Sequence, residues 1–471
     1  MPTLQETDRD ASAPSPADRD PWSTYEPRPE VPWNIRRVVH LHRRAGLAAT
    51  WDEVQRDLRD GPAKSVDRLL AGKTSAPRTP PDFDSISKVL ADAAVAAHDP
   101  ARLKAWWFYR MLFGPDPLGE RLTLMWHNHF ATSNLKVSDL AAMCAQNELF
   151  RAKARRPFHE LLGAAVRDPA LLVWLDAAAN RKEHPNENLG RELMELFTIG
   201  LVYTEGDVRD AARALTGWTI EEEAFQDIPS LHDVGEKTIL GRKGRWRGDD
   251  LLKILLEHPG TARRLAGRLC QEFMGDNAVT TAHLDKLAAG LRARQLDVGW
   301  GVETIVRSEA FFAERNLGNR VLAPAEYIVG VVRALEMVDP PPSTLVLADW
   351  ATRLGQDLFY PPNVFGWPGG RAWITTRSVI ARANCAASLI GGIGVGRPEA
   401  FDALGFARRH GGGRDIEEAL SFYGQLLLGY EPGTELRKRL HSAAASRAAA
   451  EVDRARQIVA LMLASPEAQL C

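Results

Sequence analysis

Cysteine is scarce in this sequence, and it follows no recognisable spacing. The four cysteines, Cys144, Cys270, Cys385 and Cys471, lie far apart and form no Cys-x-x-Cys pair. This distribution argues against a zinc knuckle and against the disulfide framework of a small secreted domain. We therefore expect a protein of a reducing compartment, with the cytoplasm as the predicted location.

The first thirty residues lack the features of an export signal. They contain no basic start and no apolar run, so we expect neither a signal peptide nor a membrane anchor. Their richness in proline, aspartate and serine is typical of a disordered tail over residues 1–30. Since no later stretch approaches the length of a membrane span, we also expect no membrane partner.

An excess of either charge is missing too. The 59 lysines and arginines nearly balance the 61 aspartates and glutamates. A balanced chain has no net field that would attract DNA, RNA or an anionic membrane. We therefore expect no nucleic-acid partner.

Several catalytic motifs are absent. The sequence has no G-x-S-x-G elbow, no G-x-x-x-x-G-K-[ST] loop, no H-E-x-x-H, and no G-x-G-x-x-G after a strand. Elbow-type serine hydrolases, P-loop NTPases, standard zincins and Rossmann dehydrogenases therefore lack support.

Helical periodicity is present from about residue 33 almost to the end of the chain. Apolar residues recur at i, i+3 and i+4, and connectors carry proline, glycine and aspartate. Strand-like segments occur only around GWTIEEEAFQDI and EKTILGRKG. The predicted fold is mainly α: a multi-helical globular fold with a small irregular or β-hairpin region at 217–247. We predict a helical core domain at 31–407 and, after the glycine-rich RRHGGGRD, a C-terminal helical hairpin at 408–471 packed on the core.

The segment HPNENLGRELMELFTIG, residues 184–200, places unusual charge in an otherwise apolar helix. Glu187, Arg191 and Glu195 recur at i, i+4 spacing on one face, with Glu192 beside them. A solvated face with weak ion pairs would explain this pattern. A second charged helix follows closely, which favours a semi-buried ionic network instead. The sequence leaves both interpretations open.

Two further segments carry histidine and acidic residues. In LTLMWHNHF, His129 falls on the apolar face of a helix, where it would be either a site residue or a hydrogen-bonded core histidine. In LHDVGEKTILGRKGRWRG, the residues His232, Asp233 and Lys237 lie in an irregular loop, and such loops often carry catalytic groups. The structural alternative is a turn in which Asp233 caps backbone amides.

The chain closely resembles a bacterial family called domain of unknown function 1800. The resemblance rests on LHRRAGLAAT, MWHNHFATS, NENLGRELMELFTIGLVYTEGDVRDAARALTGW, HDVGEKTILG and NVFGWPGGRAWITT, in this order, and runs from about residue 36 to the C-terminus. It implies a largely helical protein. It also implies a protein partner, because genes of this family often lie beside those of the uncharacterised domain of unknown function 1501, which is similar to sulfatase-like proteins. The shared motif positions, to which the resemblance assigns no roles, are His129, Glu187, Arg191, Glu192, Glu195, Asp207, Trp218, His232, Asp233 and Lys237.

The first functional hypothesis is an enzyme whose pocket lies between the helix of His129, the charged helix and the loop at 232–237. A divalent metal ion, the candidate cofactor, would be held by His129, Glu187 and Asp233 and would support hydrolysis or oxidation. In a metal-free variant, a glutamate with a raised pKa would act as general acid or base. The remaining candidate residues are Glu195, Glu192, His232 and Lys237 for catalysis and Arg191, Trp218 and Trp367 for ligand binding.

The second hypothesis is a non-catalytic scaffold. Trp367 lies in the segment PPNVFGWPGGRAWITT, whose prolines and glycines exclude a helix or a central strand. If the loop holds this tryptophan outward, the ring would stack on a glycan or a partner protein, while the charged helix would specify helix packing. The alternative is a core tryptophan, which is the more common case in a helical protein.

Overall fold

The computed structural model describes residues 20–72, 79–276, 278–445 and 450–471. Most of their regular structure is helical, so the predicted mainly α fold is confirmed. No helix in this part of the chain is both long enough and apolar enough to cross a membrane. The α-helices of the described residues are α1 Ile35–Ala45, α2 Trp51–Asp60, α3 Pro62–Leu70, α4 Phe83–Ala96, α5 Pro100–Phe113, α6 Pro117–His129, α7 Asn134–Val137, α8 Leu140–Lys153, α9 Phe158–Ala165, α10 Pro169–Trp174, α11 Asn188–Glu192, α12 Glu205–Ala214, α13 Gly248–Glu257, α14 Pro259–Met274, α15 Thr281–Ala293, α16 Val298–Val306, α17 Glu309–Phe312, α18 Pro324–Ala334, α19 Thr344–Arg353, α20 Thr376–Gly391, α21 Ala403–Arg409, α22 Ile416–Leu428, α23 Thr434–Ala445 and α24 Glu451–Ala464.

Local sequence explains where many of these helices begin. Thr50 caps α2 and Thr204 caps α12, and in each case the acidic residue three positions later, Glu53 or Asp207, reaches back to the cap. Proline occupies the first position of α5, α6, α10 and α14, where its missing N–H costs no intrahelical hydrogen bond. The caps and the prolines can both be recognised in the sequence, so the sequence itself indicates where these helices begin.

Two short antiparallel β-hairpins occupy the region predicted to be irregular or hairpin-like. The strands are β1 Trp218–Glu221 with β2 Ala224–Asp227, and β3 Lys237–Ile239 with β4 Arg242–Gly244. In each hairpin two residues of positive φ form the turn, Glu222 and Glu223 in the first and Leu240 and Gly241 in the second. Such turns match the twist of the flanking strands. The hairpin prediction is confirmed, with each segment folding back on itself.

The hydrophobic core of the described residues consists of two large clusters that meet along α6 and a small third cluster of Val38, Val39, Ala49 and Val54. The first contains residues of α4, α5 and α18 to α24, with Trp107 among the fully buried side chains. The second contains residues of α6, α8 to α10 and α12 to α17, including Trp126. Leu124 belongs to the first cluster and its neighbour Met125 to the second. Consecutive residues of α6 therefore face different halves of the core.

The beginning and the end of the described chain both pack on this core. Tyr25 is 3% exposed, and the indole of Trp22 donates a hydrogen bond to the carbonyl oxygen of His283 at 2.9 Å. Residues 20–30 of the predicted disordered tail therefore have ordered contacts, and residues 1–19 lie outside the described residues. At the other end, α24 packs against α20. The predicted division into a domain at 31–407 and a hairpin at 408–471, which contains α22, α23 and α24, stays a prediction.

A buried ionic network lies where the two clusters meet. The Nη2 atom of Arg121 on α6 is 3.1 Å from Glu272 on α14 and 3.0 Å from Glu326 on α18. Arg320 pairs with the same two carboxylates, at 3.4 Å and 2.7 Å. Burial alone would raise the pKa of Glu326, but the charges of Arg121 and Arg320 outweigh it and hold that pKa well below its usual range. These four side chains carry two positive and two negative charges and link both clusters, and Arg268 of α14 lies 3.8 Å from Glu272 as a third cation.

We expect Glu326→Gln to lower the free energy of unfolding by about 3–5 kcal/mol, because it leaves buried guanidinium charge uncompensated. Urea denaturation followed by circular dichroism measures this change. Asp92→Asn is the control, since it breaks the largely exposed Lys88–Asp92 pair on α4 and should change stability little. A loss in Glu326→Gln no larger than that of the control would contradict the structural role of the network.

Candidate functional site

An open, polar cleft of about 910 Å³ lies between the two clusters. It is bounded by the C-terminal end of α6, one face of α14, residues 319–326, and the loop at 364–373. Its volume lies within the range of small-molecule sites. Of the site residues predicted from the sequence, His129 and Trp367 line it.

Two arginines one helical turn apart on α14 project into this cleft. The Nε atom of Arg264 donates to the carbonyl oxygen of Leu196 at 2.6 Å. Arg268 donates to Gln271 at 3.1 Å and to the carbonyl oxygen of Met125 at 3.3 Å, whereas its buried Nε has no hydrogen-bond partner among the described residues. Burial lowers the pKa of both side chains, and the charge of Arg268 lowers that of Arg264 further. The two like charges repel one another at this spacing. Glu272, one turn further along α14 and 3.8 Å from Arg268, compensates part of this repulsion.

His129 enters the cleft wall from the last turn of α6. It is 8% exposed, and its Nε2 atom is 3.2 Å from the carbonyl oxygen of Phe197. Because a carbonyl oxygen only accepts, Nε2 carries the ring proton and Nδ1 keeps its lone pair. Burial, with a smaller effect of the nearby arginines, lowers the pKa of His129 to about 3. The imidazole is therefore neutral at physiological pH.

The charged segment at 187–197 reaches the cleft through its backbone. Helix α11 continues into a π-helical turn at Leu193–Phe197, and such turns are frequent at functional sites. The carbonyl oxygens at its end accept from cleft residues, Leu196 from Arg264 and Phe197 from His129. The π-turn therefore positions a guanidinium and an imidazole of the cleft.

The acidic side chains of this segment lie elsewhere. Arg191 pairs with Glu187 at 3.0 Å and with the exposed Glu205 of α12 at 2.8 Å, so both proposed interpretations apply in part: the pairs are solvated, and they link two helices. Glu195 accepts a hydrogen bond from the Tyr203 hydroxyl. Burial, together with the charge of Glu195, raises the pKa of the half-buried Glu192.

The loop at 232–237 packs against α12. Asp233 accepts from Arg213 at 2.7 Å and from the backbone N–H of Gly235 at 2.7 Å, the turn-capping role considered as its alternative. The buried ammonium of Lys237 donates to the carbonyl oxygens of Asp233 and Gly235, and burial lowers its pKa. The ring of His232 is hydrogen-bonded to Thr216. These groups hold the loop, and among the described residues none of them lines the cleft.

The two candidate tryptophans are both buried. Trp218 is covered by the guanidinium of Arg167, whose Cζ atom is 4.8 Å from the centre of the indole ring. Trp367 is 4% exposed, its indole donates to the carbonyl oxygen of Asp357 at 3.1 Å, and its backbone N–H donates to Asn128 at 2.6 Å. The outward-facing ring expected for Trp367 is therefore wrong. The reason is the tight turn at Gly366, where φ is +83° and a Cβ atom would collide with Asn128.

The sequence comparison with family models agrees with the resemblance seen in the motifs. The model described as "Protein of unknown function (DUF1800)" matches residues 40–470, nearly the whole chain. The chain belongs to the DUF1800 family. Comparison of this DUF1800 chain with curated proteins and with solved structures gives no significant match in either set.

The three metal ligands predicted for this DUF1800 protein are not brought into one site. His129 lies at the cleft, whereas Glu187 pairs with Arg191 and Asp233 pairs with Arg213. Within the described residues, no group of three or more histidine, cysteine, aspartate or glutamate side chains is arranged to hold a metal ion. His129 therefore lies in the cleft along α14, apart from the acidic side chains of the charged helix and from the loop at 232–237.

Most of the polar residues in the cleft were missed by sequence reasoning. Arg264 and Arg268, with Glu272 one turn later, form an i, i+4 stripe in TARRLAGRLCQEFMG. This stripe was the available signal, but a solvated helix face gives the same pattern. The polar positions of the loop and of residues 319–326 carry no comparable signal.

We expect His129→Gln to reduce the pH dependence of stability in mildly acidic solution. Between its usual pKa near 6.5 and about 3, the imidazole binds a proton in the unfolded chain and not in the folded one. The free energy of unfolding therefore falls as pH falls, by about 1.4 kcal/mol per pH unit for each such histidine. Glutamine can still donate to the carbonyl oxygen of Phe197 and does not titrate.

Chemical denaturation at several values between pH 6 and pH 4.5 measures this slope. Burial also lowers the pKa of His127 to about 3. His127 should therefore contribute the same amount to the slope in the unmodified protein and in His129→Gln. The exposed His159→Gln is the control for the loss of one histidine. An unchanged slope in His129→Gln would show that His129 takes up a proton in the folded protein.

Proposed function

We propose that this DUF1800 protein binds an anionic small molecule in the cleft, with Arg264 and Arg268 as its principal contacts. The observation that carries the proposal is the pair of largely buried arginines one turn apart, one with an unpartnered Nε. Repulsion between the two guanidinium groups costs free energy in the empty cleft, and Glu272, 3.8 Å from Arg268, compensates it only in part. A bound anion replaces that repulsion with charge-assisted hydrogen bonds, which are among the strongest in proteins.

His129 fits a binding role better than proton transfer. Its Nδ1 lone pair can accept a hydrogen bond from a hydroxyl or amine of the ligand. With a pKa of about 3, however, the imidazole is a weak base at neutral pH, and an efficient general base has a pKa near the working pH. Ligand binding is therefore the function that the cleft supports best.

The other hypotheses have less support. Metal-assisted hydrolysis or oxidation relied on His129, Glu187 and Asp233, which lie in separate places, and the candidate bases Glu192 and Glu195 lie outside the cleft. A scaffold that presents Trp367 loses its main argument because the ring is buried. A protein partner of the DUF1501 family and a cytoplasmic location stay predictions from the sequence.

We expect Arg268→Gln to weaken the binding of inorganic phosphate and citrate tenfold to a hundredfold in isothermal titration calorimetry. This range follows from the loss of about 1.5–3 kcal/mol for a hydrogen bond to a charged group. Arg263→Gln is the matched control on the same helix, because Arg263 is half-exposed and pairs with Asp285 at 3.4 Å. Equal affinities in the two variants, or no binding by the unmodified protein, would contradict the proposal.

A further inference from the structure

The geometry points to a phosphate monoester in its dianionic form as the class of ligand that the cleft takes. This inference rests on the proposed function and makes it more specific. It depends on the charge balance of the cleft, on three carboxamides with occupied oxygens, and on the number of donors that converge there.

The charges at the cleft leave an excess of two positive charges among the described residues. Glu272 and Glu326 are neutralised by Arg121 and Arg320, whose ion pairs with them form the floor. The remaining charged side chains that line the cleft are Arg264, Arg268, Arg371 and Asp276. Glu195 lies close enough to raise the pKa of Arg264, but its carboxylate is engaged by Tyr203 outside the cleft. A dianion matches this excess and a monoanion does not.

Four carboxamides line the cleft: Gln271 uses both its oxygen and its NH2 inside the protein, whereas the other three have only their oxygens occupied. The Asn128 oxygen accepts from the backbone N–H of Trp367 at 2.6 Å, and the Gln356 oxygen accepts from that of Ala325 at 3.0 Å. The Asn319 oxygen accepts from Arg44 in the same way. Because backbone N–H and guanidinium groups only donate, these contacts fix which end of each amide is oxygen. Since no hydrogen bond joins their NH2 ends to any of the described residues, these ends are available to a ligand.

Donors thus outnumber acceptors at the cleft surface. The three guanidinium groups of Arg264, Arg268 and Arg371 and the three NH2 groups suit a tetrahedral group with three terminal oxygens better than a planar carboxylate with two. The acceptors that remain are few, chiefly Asp276 and the Nδ1 atom of His129, and they suit hydroxyl groups on the organic part of the ligand. Phe365, which lines the cleft and is 68% exposed, offers an apolar contact to the same part.

The test compares three probes that share one ring, phenyl phosphate, phenyl sulfate and benzoate, by isothermal titration calorimetry on the full chain. At pH 7.5 phenyl phosphate is a dianion, since the second pKa of a phosphate ester is about 6, whereas the other two are monoanions. We expect phenyl phosphate to bind at least tenfold more tightly than either. The advantage should disappear at pH 5, where the phosphate carries one charge.

Gln356→Glu tests the donor wall directly, that is, the three carboxamide NH2 groups of Asn128, Asn319 and Gln356. The substitution keeps an oxygen for the backbone N–H of Ala325 and replaces the free NH2 by a carboxylate oxygen. We expect it to weaken phenyl phosphate binding at least tenfold. Gln226→Glu, on the exposed strand β2, makes the same change of charge outside the cleft and should leave the affinity unchanged.

The outcomes separate this inference from the proposed function. Binding of none of the three probes would overturn both. Equal binding of all three, still weakened by Arg268→Gln, would keep the anion site and overturn the phosphate assignment. A phosphate preference that persists unchanged in Gln356→Glu would overturn the donor wall as its cause.

Discussion

The pairing of Arg121 and Arg320 with Glu272 and Glu326 is the interaction on which the remaining structure depends. The two large clusters of the core are apolar, but the junction between them holds four charged side chains from α6, α14, α18 and the segment before α18. Buried charges are tolerated only when they are paired and hydrogen-bonded. The network therefore fixes how the two clusters meet, and its solvent side becomes the floor of the cleft.

The cleft arises because this floor is polar and cannot be covered by apolar side chains. Above it, α14 presents its arginines, and the loop at 364–373 folds over Asn128 and turns Trp367 inward. The π-turn at Leu193–Phe197 supplies the carbonyl oxygens that hold Arg264 and His129. The backbone of the charged segment at 187–197 thus positions two side chains of the cleft, whereas its own charged side chains connect α11 to α12 at the surface.

The fold was predictable from sequence wherever the determinant is local. Apolar periodicity, proline at first helical positions and capping boxes such as Thr204 with Asp207 specify helices within a few residues. The hairpins were predictable because the segments of β1 to β4 lack helical periodicity. The burial of His129 also followed from its position on an apolar helix face.

The candidate site was less predictable because it is built from segments distant in sequence. Arg268, Asn128 and Gln356 lie on separate elements, and nothing in the spacing of these residues indicates that they share a cleft. A charged stripe at i, i+4 has the same appearance whether it faces water, as Glu187 and Arg191 do, or a cleft, as Arg264 and Arg268 do. Only tertiary contacts, such as that of Arg268 with the carbonyl oxygen of Met125 on α6, separate the two cases.

The most direct test of the central claim, that the cleft and not the charged helix is the ligand site, is a crystal structure with bound selenate. Selenate is a tetrahedral dianion whose position can be located by the anomalous scattering of selenium. We expect a selenium peak within hydrogen-bond distance of both Arg264 and Arg268. Selenate bound only at surface arginines such as Arg191 or Arg213, with none between Arg264 and Arg268, would contradict it.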